Sequence, residues 1–136
     1  MANYYSTSRT NYFRVKDNDA FNQWAEQFSG IEIIEKDGTV GLLFDDGVPN
    51  CRWETEDADG NEQNDVEVEI DFMDELAEHL ADNEVAILQE AGAEKLRFIN
   101  GYAIAINNKK ETKQINLDDI YALAKELGSN ITKAEY

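Results

Sequence analysis

The chain has 136 residues, 42% of them hydrophobic, with two Trp, six Tyr and six Phe, and a formal net charge of −17. That length and aromatic content exclude a disordered polyelectrolyte and predict one domain that buries roughly two-thirds of its unfolded surface. No apolar run approaches the ~20 residues of a membrane span, and the polar, aromatic start from Met1 to Tyr5 lacks the segments of a signal peptide.

In chain order, residues 10–16 alternate, with Phe13 and Val15 on one side and Tyr12, Arg14 and Lys16 on the other, which predicts a first strand. Asp17 then caps a helix whose Ala20, Phe21, Trp24, Ala25 and Phe28 form one apolar stripe, closed by Gly30. Residues 31–35 and 39–44 flank Lys36-Asp37-Gly38, a hairpin signal because Asp-Gly accepts the positive φ angles of a primed turn. After a loop at 45–50, strands are expected at 51–57 and 65–72, joined by the polar loop 58–64. A second helix follows over 73–83, with Asp71 and Asp74 at the spacing of a capping box. Strands are expected at 85–90, 95–99, 102–106 and 112–115, the middle two joined by a primed turn at Asn100-Gly101. A last helix begins at Leu117 after its cap Asn116, turns Leu117, Ile120, Tyr121, Ala124 and Leu127 inward, and ends at Gly128. The fold class expected is α+β, a single domain over 1–128 with about three short helices packed on antiparallel sheet built from hairpins. A flexible tail is expected at 129–136.

The negative charge is not evenly spread. Residues 31–90 hold 20 acidic side chains and only two basic ones, Lys36 and Arg52, while the segments on either side are close to neutral. Self-repulsion on that scale works against a compact state, and solubility alone needs far less charge. Along 65–72 the pattern places Val66, Val68, Ile70 and Phe72 on one face and Asp65, Glu67, Glu69 and Asp71 on the other. A hairpin with the preceding strand is expected to point Cys51, Trp53 and Thr55 inward and set Arg52, Glu54 and Glu56 beside the acidic row. On the second helix, Asp74, Glu78 and Asp82 stack at i, i+4 and i+8, an unfavourable row of like charges. The candidate partner-binding surface is therefore Glu54, Glu56, Asp57, Asp59, Glu62, Asp65, Glu67, Glu69, Asp74, Glu75, Glu78 and Asp82.

Such an array attracts a cationic partner. Same-face carboxylates on a strand recur every ~6.6–6.8 Å, about twice the ~3.4 Å rise between phosphates of one DNA strand. A rigid row of them can occupy a groove built for nucleic acid, with electrostatic steering speeding the encounter. The segments Ser8-Arg9-Thr10-Asn11-Tyr12-Phe13-Arg14-Val15-Lys16 and Glu90-Ala91-Gly92-Ala93-Glu94-Lys95-Leu96-Arg97 resemble a family of uncharacterised mobile-element proteins over most of the chain. Its size, acidity and α+β character also resemble phage- and plasmid-borne anti-defence inhibitors, the anti-CRISPR and anti-restriction DNA mimics. That resemblance implies a non-catalytic inhibitor in the bacterial cytoplasm, bound to a cationic nucleic-acid-binding protein such as a defence nuclease or effector complex. Direct nucleic-acid or membrane binding is not expected, and a homodimer is compatible with the sequence.

No catalytic signature competes with this reading. His79 is the only histidine, which excludes a multi-histidine metal site, and it lies at the boundary of its helix's apolar face. Cys51 is the only cysteine, which excludes an internal disulfide and fits a reducing compartment. Its strand position reads as a packed thiol. The glycines make no nucleotide-binding motif. In the loop 55–66, aligning Gly60 with the central glycine of an EF-hand puts Thr55 and Val66 where the key carboxylates belong, so a calcium loop fails. No cofactor or metal is expected. The alternative site is the basic and aromatic face of Tyr12, Arg14 and Lys16, a composition that can hold a small nucleotide or signalling molecule. A plain mobile-element interaction module is the remaining reading.

Overall fold

The computed structural model describes residues 4–45, 47–55, 65–95 and 97–134. In chain order the elements are β1 (Tyr4–Thr10), α1 (Asn18–Ala25), β2 (Ile31–Lys36), β3 (Thr39–Phe44), β4 (Cys51–Thr55), β5 (Asp65–Glu69), α2 (Phe72–His79), β6 (Val85–Glu94), β7 (Phe98–Asn107), β8 (Thr112–Asn116), a 3₁₀ turn (Leu117–Asp119) and α3 (Ile120–Ala124). Six strands form one sheet in the order β2-β3-β1-β6-β7-β8, and β4 and β5 pair separately. Every pairing is antiparallel. The α+β class expected from the sequence is the one observed. No helix among the described residues is long and apolar enough to cross a membrane.

One face of the large sheet carries the core. Val40, Leu42 and Phe44 of β3, Ala86 and Leu88 of β6 and Ile106 of β7 are buried against α1 and α2. Helix α1 starts where Asp17 accepts hydrogen bonds from the N–H groups of Asp19 and Ala20, satisfying donors that the first turn leaves open. Its stripe of Phe21, Trp24 and Ala25, continued by Phe28, is buried as the pattern predicts, whereas Ala20 is exposed. The Trp24 ring lies 5.2 Å from Phe28 and 5.0 Å from Phe72, which in turn lies 5.5 Å from Phe44. These tilted and edge-on contacts fasten both helices to the end of β3. The β2–β3 hairpin turns at Asp37 and Gly38, both at positive φ (51° and 81°), as a primed turn requires.

Several elements differ from the sequence expectation. The first strand is Tyr4–Thr10 rather than 10–16; Phe13 and Val15 form single bridges to Val40 and Leu80. A central strand made of Tyr-Tyr-Ser-Thr-Ser-Arg-Thr lacks apolar alternation, and its buried positions are the hydroxyls Ser8 and Thr10. Helix α2 ends at His79, four residues short of the expected 83, because Leu80 turns to extended geometry and bridges Val15. Asn100-Gly101 is not a turn: both residues lie within β7, and the chain reverses between the end of β6 at Glu94 and the start of β7 at Phe98, with Lys95 at φ 49°. The β4–β5 register pairs Trp53 with Glu67, Cys51 with Glu69, and Glu54 with Val66.

The last helix departs furthest. It is a 3₁₀ turn followed by five α-helical residues, and none of these is buried. Leu117, Ile120 and Leu127 are 51%, 56% and 93% exposed rather than directed into the core. The element lies over the sheet face opposite α1 and α2, above the small residues Ala91, Gly101 and Ala103. A Cβ on Gly101 would stand 3.7 Å from the Leu117 Cβ, an ordinary packing distance, so this turn lies directly over the strand.

Candidate functional site

The expected acidic surface divides into three parts. Glu56, Asp57, Asp59 and Glu62 lie outside the described residues, as does most of the loop read against a calcium site. Glu54, Asp65 and Glu67 are placed on the β4–β5 hairpin by its register. Glu69, Asp74, Glu75, Glu78 and Asp82 follow along β5, α2 and the turn after it. Glu69, Glu78 and Asp82 are exposed and Asp74 is half-buried.

The structure gives two of these acids a cation that their own helix does not supply. Lys110, held at φ 65° in the β7–β8 turn, places Nζ 3.8 Å from the Asp74 carboxylate and 3.9 Å from Glu78. Both contacts are long and solvent-exposed, a class worth at most about 1 kcal/mol. One lysine therefore offsets part of the repulsion between Asp74 and Glu78. Asp82 is not the third member of a helical row, because α2 has ended. It accepts a hydrogen bond from Asn108 Nδ2 at 2.8 Å. Glu75 turns the other way and accepts the Trp24 indole N–H at 2.8 Å, tying α2 to α1. Its role is to satisfy a buried donor.

His79 ends α2 with its ring 5.0 Å from Trp24 and 5.9 Å from Phe21. Burial among these rings lowers its pKa below the ordinary 6.5; Glu78 and Glu75 oppose the shift and Lys16 adds to it. Cys51 is half-buried at the start of β4. Among the described residues, no three His, Cys, Asp or Glu side chains are grouped so as to hold a metal ion.

The alternative site of Tyr12, Arg14 and Lys16 is only partly assembled. Lys16 donates its backbone N–H to the His79 carbonyl and belongs to the α2 end of the molecule. Tyr12 is exposed and is flanked instead by Arg9, with Cζ 5.7 Å from the ring centroid, and Lys36, with Nζ at 5.6 Å. Arg14 reaches the same β2–β3 turn: its Nη1 is 3.7 Å from where a Cβ on Gly38 would stand. Sequence alternation missed Arg9 and Lys36, because one lies beyond the expected strand and the other in the partner hairpin.

On the outer sheet face, Ala91, Gly101 and Ala103 with Ile115, Leu117, Ile120 and Leu123 line an open groove of about 660 Å³. Its signal in the sequence was the run of small residues in β6 and β7, which leaves no bulk to meet α3. No protein family, curated protein or solved structure matches this chain.

Proposed function

We propose that this is a non-catalytic binding protein whose carboxylate surface takes the place of nucleic-acid phosphates in the cationic groove of a defence nuclease or effector complex, in the manner of anti-CRISPR or anti-restriction inhibitors. The observation that carries the reading is the confinement of charge: 20 acids against two bases within residues 31–90. Glu69, Glu78 and Asp82 support it by remaining in solvent. The lysine that reaches Asp74 and Glu78 does so at long range. A groove evolved to neutralise phosphates offers Lys and Arg at comparable density, and the encounter is accelerated by opposite fields.

The test is a pull-down from bacterial lysate with the full chain as bait, repeated with excess duplex DNA. Retention of a nucleic-acid-binding protein that DNA displaces is the expected result. Retention that DNA leaves unchanged, or of proteins without affinity for nucleic acid, would overturn the reading.

A further inference from the structure

We propose that Arg9, Tyr12, Arg14 and Lys36 form a binding site for a small phosphorylated molecule, separate from the acidic surface. Three cations from three parts of the chain gather about Tyr12 and the β2–β3 turn: Arg14, from the segment that bridges to β3, and Lys36, from the end of β2, lie at the turn, and Arg9 of β1 shares the Tyr12 ring with Lys36. Arg9 and Lys36 flank the exposed Tyr12 ring at 5.7 and 5.6 Å from its centroid, an arrangement that orients both heads by attraction to the π system. Arg14 stands over Gly38 of the same turn.

The absence of acid partners is the informative part. Among the described residues none of these three cations makes an ion pair, in a chain with 29 acids. Lys110 and Arg97, by contrast, both meet carboxylates. Cations serving only to offset the acidic field would be placed as Lys110 is. Two neighbouring acids are otherwise arranged: Glu84 accepts the Arg14 backbone N–H at 2.7 Å, and Asp37 occupies the turn itself. The Arg9 Nε donates to the Thr10 carbonyl, which leaves its terminal nitrogens for another acceptor. Two guanidinium forks and one ammonium suit the tetrahedral oxygens of phosphate groups. Because both cations already attend the Tyr12 ring, the site reads charge rather than stacking a base. A compact ligand is favoured over a long polyanion, because a long chain would run on from these cations into the field of the acidic segment, whereas screening over ~8 Å at physiological salt limits how much of that field a small ligand meets.

The experiment is isothermal titration of the full chain with inorganic tripolyphosphate, ATP and adenosine at low salt. Tripolyphosphate and ATP are expected to bind alike, more weakly as salt rises, and adenosine is not expected to bind. Arg14→Gln and Lys36→Gln should each weaken both phosphates about tenfold, the loss of one charge-assisted contact. Lys125→Gln, an exposed lysine at the end of α3, should leave them unchanged. Since the substituted side chains are exposed, matching thermal melts verify the fold. Failure of either phosphate to bind, adenosine binding as well as ATP, or equal losses with Lys125→Gln would overturn the proposal.

Discussion

The two faces of the six-stranded sheet are finished in opposite ways. On one, α1 and α2 bring Phe21, Trp24, Phe28, Phe72 and Leu76 onto Leu42, Leu88 and Ile106, and the large apolar side chains disappear from solvent. On the other, a short α3 stands over Ala91, Gly101 and Ala103 with Leu123 still 59% exposed. Apolar residues at helical spacing occur on both α2 and α3, so spacing does not separate them. What separates them is the bulk of the opposing strand residues, because close packing needs partners on both sides of the contact. The first face holds the fold together, and its helices carry the acids outward. The second contributes little to stability.

The largest effect that follows is at Leu76, which is fully buried on α2. Leu76→Ala should cost about 2–5 kcal/mol through lost transfer energy and a cavity, read as a lower urea midpoint with unchanged slope. A cost below 1 kcal/mol would break the distinction between the faces.

Two adjacent hydroxyls on the core face of β1 sharpen it. Thr10 Oγ1 accepts the Leu42 N–H at 2.9 Å and donates to the Asn11 carbonyl at 2.8 Å, whereas Ser8 Oγ is buried without a partner. Thr10→Val should cost about 1–3 kcal/mol because it leaves a buried donor unpaired. Ser8→Ala should be neutral or slightly stabilising, since it removes a polar atom that is desolvated without compensation. Thermal denaturation of the two variants tests the pair, and equal losses would contradict the assignment.

His79 adds a smaller, pH-dependent term. Its folded pKa lies below the unfolded 6.5, so the unfolded state binds more protons between the two values. Stability from this group is therefore full above pH 6.5 and declines as pH falls below it, levelling once the folded imidazole is also protonated. Urea midpoints measured across this window should fall less in His79→Gln than in the wild type. The smallest change is expected on the outer face: Leu123→Ala should shift stability by no more than about 0.5 kcal/mol.

Where local chemistry decides structure, the chain could be read directly. The Asp17 cap, the Phe21-Trp24-Ala25-Phe28 stripe and the Asp37-Gly38 turn involve neighbours in sequence, and all three stand as expected. Asn100-Gly101 misled because a dipeptide that suits a primed turn can also lie within a strand, and here long-range pairing with Gly92 and Ala91 of β6 decides the matter. β1 was hidden because a strand in the middle of a sheet normally announces itself by apolar residues, and this one buries Ser8 and Thr10. Of the candidate sites, the exposure of Glu78 followed from helical spacing, but the place of Asp82 beyond the helix end and the turn lysine beside Asp74 did not. Lys110 reaches α2 from 32 residues beyond Glu78, through the β7–β8 turn. The gathering of Arg9, Tyr12 and Lys36 depended on strand order for the same reason.

The central claim is that the acidic surface acts through its charge. The direct test is the affinity of the wild type and of the Glu69→Lys, Glu78→Lys, Asp82→Lys triple variant for the protein captured from lysate, followed over increasing salt. All three positions are exposed, so the variant should fold. The account predicts wild-type affinity that falls steeply as screening shortens, and loss of binding in the variant already at low salt. Binding that is indifferent to salt and survives the three reversals would contradict it.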